Sequence, residues 1–446
     1  MEIKQFVAEG LGDASYLVSA GDLAAVVDPQ RDIRPFLAAA EARNVRIAFV
    51  FETHVHNDYL SGGRELAALG AQVVAPRAAG LQFPHFGISD GEGIAFGGVT
   101  LRGMAAPGHT YEHMAYLAVD ERGETSGAFT GGALLMAAAG RSDLLGPGHT
   151  EELLRLQWET GHRLRRALAA NASIMPTHGA GSFCSSAGAC NERMGPASLE
   201  DERNPALASP TYEVFRAIQL ASPAPIPGYY QYMAPINRRG PTVFGSPPQP
   251  ASLTPHSIDM LQAQGAHLID ARRRVDFACG HVPGSIAIED DGSLLAYTGW
   301  VVPFNAPVVL ITYDQAQAER LTVDLFRIGY EDVRGYLTFS SWVAGGRPAR
   351  TLARITPAEV AAALAASDRP VLDVRFSNEQ ELLPIPGALR RPIDDIHKWI
   401  AAAPNDAVVV CASGYRASVA ASLLAARGRS VRACVDGGAA DILSAR

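Results

Sequence analysis

The chain has 446 residues, too many for one hydrophobic core and enough for about three domains. Its net charge of −8, with both signs interspersed, argues against nucleic acid or an anionic membrane as the main partner. Five cysteines scattered over this length make no disulfide framework, no apolar run approaches a membrane span, and Met1-Glu2-Ile3-Lys4-Gln5 lacks a secretory layout. The expectation is a cytoplasmic protein in which a thiol can do chemistry.

Residues 1 to about 240 alternate β-rich runs with helical patterns. Tyr16-Leu17-Val18 and Ala24 to Asp28 predict a hairpin turning at Gly21-Asp22. Ile33 to Arg43 and Gly63 to Leu69 have helical periodicity, while Ile47 to Phe51, Val73-Val74-Ala75 and Val99-Thr100-Leu101 predict strands. The alternation favours a layered α/β architecture with functional side chains in the connecting loops.

Directly after the Ile47 to Phe51 strand comes Thr53-His54-Val55-His56-Asn57-Asp58-Tyr59. Imidazoles two residues apart lie on one side of an extended chain, so His54 and His56 can face one ion, with Asp58 two residues further on. Histidine is the commonest metal ligand near neutral pH. A lone His-x-His is more often a loop feature, but Pro107-Gly108-His109-Thr110 and Pro176-Thr177-His178-Gly179 add two further histidine turns and favour a metal site.

From Ser222 to Pro250 proline is dense, which predicts an extended connector with little regular structure. Tyr229, Tyr230 and Tyr232 suggest that part of it packs. Beyond it lies an internal repeat. Leu268-Ile269-Asp270-Ala271-Arg272 corresponds to Val371-Leu372-Asp373-Val374-Arg375. Pro283-Gly284 and Pro386-Gly387 follow their aspartates at identical spacing. Two copies of one small α/β domain are therefore expected at 251–348 and 352–446.

In the second copy, Val408-Val409-Val410 leads into Cys411-Ala412-Ser413-Gly414-Tyr415-Arg416 and then a helix. A thiol between a strand end and a helix N-terminus sits where backbone N–H groups favour an anion, and such a field favours the thiolate. Arg416 adds a positive charge at the rim, and Gly414 permits a tight path. A buried, inert cysteine is the bland alternative.

This loop resembles that of the rhodanese family of sulfurtransferases, Cys-x-x-Gly-x-Arg, together with Asp373-Val374-Arg375, Ile385-Pro386-Gly387-Ala388 and Asp436-Gly437-Gly438. The resemblance implies that Cys411 carries a sulfane sulfur as a persulfide, within a loop of Ala412, Ser413, Gly414 and Tyr415 closed by Arg416. Four residues separate Cys411 from Arg416, a cradle sized for sulfur rather than phosphate. The first copy, with Gly280-His281-Val282-Pro283-Gly284, looks rhodanese-like too. Its loop, Ile311-Thr312-Tyr313-Asp314-Gln315, has no cysteine, so it is expected to be catalytically silent.

The N-terminal motifs resemble the metallo-β-lactamase fold and, within it, the persulfide dioxygenases, including Thr53 to Tyr59, Pro176 to Ser182 and Asn204-Pro205. The resemblance implies an αββα sandwich followed by two rhodanese-like α/β domains. It also implies a mononuclear Fe(II) held by two histidines and an aspartate, with zinc as the lesser alternative. His54 and His109 map onto the two histidines. His56 and Asp58 are further candidate ligands, and His178 is a supporting residue. The expected Thr-Gly-Asp ligand reads Thr130-Gly131-Gly132, so the carboxylate is missing and iron binding is expected to be weakened or lost. Tyr59 and Gly132 stand where two-metal hydrolases need a histidine and a bridging aspartate, which disfavours thioester hydrolysis. The implied partners are a small-molecule thiol persulfide and sulfite or thiosulfate, with no nucleic acid and no membrane; a homo-oligomer is compatible.

Overall fold

The computed structural model describes residues 1–186, 190–221 and 224–445. Ser222 and Pro223, at the start of the proline-rich stretch, and Arg446 lie outside them. The chain divides into two compact units, Met1–Pro223 with Tyr230–Pro247, and Ala224–Tyr229 with Pro248–Arg446. Among the described residues no helix is long and apolar enough to cross a membrane.

The first unit contains two six-stranded sheets. One runs in the order β1 (Glu2–Ala8), β2 (Asp13–Ala20), β3 (Leu23–Val27), β4 (Arg46–Phe51), β5 (Gln72–Pro76) and β6 (Phe86–Ile88). The predicted hairpin is β2–β3, with Ala20 opposite Leu23 and Gly21 at φ +59°, a backbone that glycine tolerates best. The other sheet is built from β7 (Gly93–Phe96), β8 (Val99–Ala105), β9 (Met114–Asp120), β10 (Thr125–Gly131), β11 (Ser173–Pro176) and β12 (Gly195–Pro196), neighbouring in sequence order.

One core cluster joins the two sheets: Tyr16, Val18, Val27 and Phe51 from the first pack with Leu101, Tyr116, Phe129 and Met175 from the second. Helices cover the outer faces. Arg34–Glu41 buries Phe36 and Ala39 against Val26 and Val50, and Pro147–Ala167 covers the second sheet with Leu164. Central strands such as Leu23–Val27 read as continuous apolar runs because each sheet buries both faces, one under the other sheet and one under helices. The result is the αββα layering.

The proline-rich stretch differs from the expected connector. Tyr230–Arg239 is a helix despite Pro235 within it, and it buries Tyr230, Met233, Ala234 and Asn237. Burial of that face outweighs the missing proline donor. Ala224–Tyr229 belongs to the second unit before the chain returns to the first at Tyr230.

The second unit holds the repeat. Its first sheet, in the order β14 (Ile286–Ala287), β13 (His267–Asp270), β15 (Val308–Thr312), β16 (Val333–Thr338), is parallel throughout. The second has β19 (Leu389–Arg390), β18 (Val371–Asp373), β20 (Ala407–Val410), β21 (Val431–Ala433) in the same order, plus β17 (Ala353–Arg354) on the edge. A parallel bridge from Ser252 to Tyr336 is the counterpart of β17 in the first copy.

The Asp-x-Arg signature has one role in both. Arg272 Nη2 lies 2.7 Å from Asp270 and donates to Gly280 O at 2.8 Å. Arg375 Nη2 lies 2.6 Å from Asp373 and donates to Leu383 O at 2.8 Å. Each buried pair thus ties a strand end to the end of the short helix that follows it.

Candidate functional sites

The histidine motif begins where β4 ends. Asp28, just past β3 and at φ +48°, is fully buried and accepts Thr53 N and Thr53 Oγ1, each at 2.7 Å. It also accepts Thr177 Oγ1, so one carboxylate ties the loops after β3, β4 and β11 together. Burial alone would raise the Asp28 pKa. The charge and hydrogen bond of His56, with the threonine donors, hold it below the usual carboxylate range.

Instead of staying extended, the chain bends after Phe51. His56 points its Nε2 at Asp28 (3.3 Å), Glu52 (3.4 Å) and the Tyr59 hydroxyl (3.0 Å). Burial opposes its charge, but the two carboxylates raise its pKa well above the ordinary value. Tyr59 stacks on the His56 ring at 4.3 Å. His56 Nδ1 has no hydrogen-bond partner. It comes together with Asp58 and His178 in one group of mutually close donor atoms.

A second group brings together His54, His109 and His178, whose donor atoms all lie within 4.8 Å of one another. All three rings are buried. His109 Nδ1 donates to Arg141 O at 2.7 Å, which leaves Nε2 as a bare lone pair without a hydrogen-bond partner. Thr53 Oγ1 gives its only proton to Asp28, so at 2.8 Å it must accept from His54 Nδ1. His54 Nε2 then also carries a lone pair. Burial and the neighbouring histidines push His54 well below its ordinary pKa and His109 down to about 3, so both rings are neutral. Neutral, fixed imidazoles of this kind are what a divalent cation requires.

His178 Nδ1 lies 2.9 Å from Asp13 and 3.2 Å from Asp58. Burial would lower its pKa, yet the two carboxylates raise it to about 9. Asp13 is itself pushed up to about 7 by burial and by Asp58. His113, absent from the sequence-based set, accepts Gly132 N–H at 2.9 Å and stacks on His54 at 4.9 Å. Its position four residues after His109 was the available signal. Asp13, Asp28 and Glu52 carried none, since a single acidic residue at a strand end is common.

No carboxylate can replace Gly132 without rearrangement: a Cβ built there falls 2.6 Å from His109 Cγ and 3.0 Å from its Nε2. The chain therefore offers two neutral histidines, as a mononuclear metal would need, but not the third ligand at that place.

The other site is the loop after β20. Cys411 is buried, and its Sγ accepts Gly414 N–H at 3.1 Å. Gly414 has φ +92°, and a Cβ there would meet the Val435 backbone. Gly438 packs equally closely on Ala412, and Ala439 N donates to Cys411 O at 2.9 Å. Asp436-Gly437-Gly438 thus braces the loop from behind. Ala412 and Ser413 are exposed, while Tyr415 is buried and donates to Glu289 O at 2.8 Å. The helix Tyr415–Ala426 begins at the loop's end. Arg416, near its start, is paired through both guanidinium nitrogens with Glu379, one contact at 2.7 Å, and lies over the Phe376 ring at 4.8 Å.

In the first copy the equivalent helix, Gln315–Arg327, is capped by Asp314, whose side chain accepts Gln317 N–H at 2.8 Å. A carboxylate thus stands at the helix N-cap where the second copy has Gly414, which carries no side chain. Cys279 is exposed at the end of Arg274–Cys279, and Cys434 is buried.

Comparison with known proteins agrees with both halves. A family model for the rhodanese-like domain matches residues 256–343. Human mitochondrial persulfide dioxygenase ETHE1 is 29% identical over 221 residues, covering 48% of this chain and 78% of that protein. Hydroxyacylglutathione hydrolases of Acidiphilium cryptum and Methylobacillus flagellatus are 36% and 33% identical over 23% and 35% of this chain. The chain spans 43% and 64% of those two proteins' lengths. A crystal structure of a metallo-beta-lactamase from Staphylococcus aureus subsp. aureus COL is similar with a TM-score of 0.67 and 27% identity, over 76% of this chain and 99% of that one. The N-terminal part of this chain thus has the metallo-β-lactamase fold and is similar in sequence to persulfide dioxygenases, and its C-terminal part contains a rhodanese-like domain.

Proposed function

We propose that the protein is a sulfur-metabolism enzyme combining persulfide dioxygenase-like oxidation with rhodanese sulfur transfer through Cys411. In this reading residues 1–240 oxidise a low-molecular-weight thiol persulfide, 352–446 transfer sulfur, and 251–348 are structural. The observation that carries it is the Cys411 loop, with Sγ against a backbone N–H at a helix start and Arg416 fixed by Glu379. The likeness of the N-terminal part to a persulfide dioxygenase supports the oxidative half.

For the transfer step, the Cys411 thiolate attacks the outer sulfur of thiosulfate or of a persulfide. The S–S bond breaks, sulfite or a thiolate leaves, and Cys411 carries the sulfur as a persulfide. Attack on that outer sulfur by sulfite or a thiol returns Cys411 and releases thiosulfate or a new persulfide. The Gly414 N–H, at the start of the helix, donates to Cys411 Sγ. In the N-terminal part, Thr53 and Arg141 O fix the His54 and His109 rings by their Nδ1 atoms, so that Nε2 is the nitrogen each would offer a metal. Iron(II), if held by these residues, would supply the redox chemistry for reaction of dioxygen with a persulfide sulfur. Linking the two sites in one chain raises the effective concentration of one product at the other.

Gly132 favours a second reading, in which Cys411 alone is catalytic and the lactamase-like part is a binding or scaffold module. Sulfane-sulfur transfer from thiosulfate to cyanide is expected to vanish in Cys411→Ala, and undiminished transfer would remove the rhodanese assignment. Oxygen consumption with glutathione persulfide, absent from His109→Ala, would support the oxidative half. No consumption by iron-loaded wild type would leave the second reading.

A further inference from the structure

We infer that His178, rather than any carboxylate, completes a trihistidine site with His54 and His109 for one divalent cation. The inference rests on the metal-centred reading above and names the ligand that Gly132 leaves missing.

His178 Nε2 lies 3.3 Å from His54 Nε2. Nitrogens bound ~2.0–2.1 Å from one tetrahedral ion lie roughly 3.3–3.4 Å apart. The surroundings turn all three Nε2 atoms inward. Arg141 O takes the Nδ1 proton of His109, Thr53 takes that of His54, and Asp13 takes that of His178, with the Asp58 carboxylate 3.2 Å away.

Two lone pairs at 3.3 Å repel unless something positive lies between them. A proton on His178 would satisfy His54 but leave His109 Nε2 buried and without a partner. One cation satisfies all three. Glycine at 132 belongs to the same arrangement, because the His109 ring occupies the space a side chain there would need.

Asp58 is then a positioning residue behind His178, and Asp13 another. Three neutral ligands leave the full charge of a divalent ion in the site, offset by outer carboxylates alone, so an anionic ligand such as a persulfide is favoured at the open position.

Cobalt(II) titration of the apoprotein tests this. Wild type is expected to bind one cobalt per chain with the intense visible absorption of a four-coordinate ion. His178→Ala and His178→Gln are expected to lose that band and to weaken binding by more than 100-fold. Asp58→Asn is expected to keep the band and weaken binding roughly 10–100-fold, as loss of a supporting outer carboxylate does.

An unchanged band and affinity in the His178 variants would overturn the inference, as would loss of cobalt from Asp58→Asn alone. A sulfur-to-cobalt charge-transfer band, pointing to buried Cys184, would overturn the all-nitrogen set. Should the variants fail to fold, X-ray absorption on cobalt-loaded wild type decides, with three imidazole shells expected and a carboxylate shell contradicting. No cobalt or iron uptake by wild type would overturn the oxidative reading as well, whereas uptake without His178 would spare it.

Discussion

The His109 ring fills the space that a side chain at position 132 would occupy. The distance from a Cβ at 132 to His109 Cγ, 2.6 Å, is too short for coexistence. Restoring the aspartate that persulfide dioxygenase-like motifs lead one to expect is therefore not a local repair.

Gly132→Asp is predicted to destabilise the first unit by about 1–3 kcal/mol, the usual cost of overpacking a buried site. Urea unfolding followed by circular dichroism measures it. Stability equal to wild type, with new oxygen consumption in the iron-loaded variant, would show that the ring moves aside freely.

Acid should loosen the Cys411 cradle through Glu379. Burial opposes ionisation of this carboxyl, but the Arg416 hydrogen bonds and charge hold its pKa below the ordinary value. A group lowered on folding contributes stability above its unfolded pKa, about 4.3, and loses it as pH falls through the folded value. The stability difference between wild type and Glu379→Gln should therefore shrink as pH falls from about 5 towards 3. A constant difference across that range would contradict the pairing.

Asp314 caps the helix of the first repeat copy, which is proposed to be silent. Asp314→Ala is expected to cost about 1 kcal/mol, the typical value of an N-cap. Differential scanning calorimetry of the full chain would detect the loss. In a background of Cys411→Ala no sulfur transfer should appear, since the copy has no thiol in this loop; any such transfer would contradict its silence.

Tyr297, in the first repeat copy's helix Leu294–Val301, packs on Tyr415 with ring centroids 4.7 Å apart. Burial pushes its pKa up, and the charges of Arg416 and Cys411 both act on its hydroxyl. Tyr297→Phe keeps the packing and removes the hydroxyl. A several-fold rise in KM for thiosulfate with kcat nearly unchanged is expected in steady-state assays. Unaltered kinetics would mean that the silent copy contributes packing alone.

Local patterns in the sequence were enough to reveal the alternating α/β layers, the repeat and the strand-to-helix loop at Cys411. A strand followed by Cys-x-x-Gly-x-Arg must curl through the positive φ of Gly414, and the loop's function lies within a few consecutive residues. The hairpin at Gly21 and the buried Asp-x-Arg pairs were legible for the same reason.

Other features depended on residues far apart in the chain. Tyr230–Arg239 is helical because its apolar face is buried, which a proline count could not reveal. His178 reaches His54 across 124 positions because β11 ends beside β4's outgoing loop and Asp28 ties the two together. Tautomers and charges in that cluster follow from Asp28, Asp13 and Arg141 O, none of which announces itself in a motif. The residue types of the site were thus written in sequence. Which nitrogen of each histidine is free was decided by tertiary structure, because a ring's proton goes to whichever acceptor the fold places beside it.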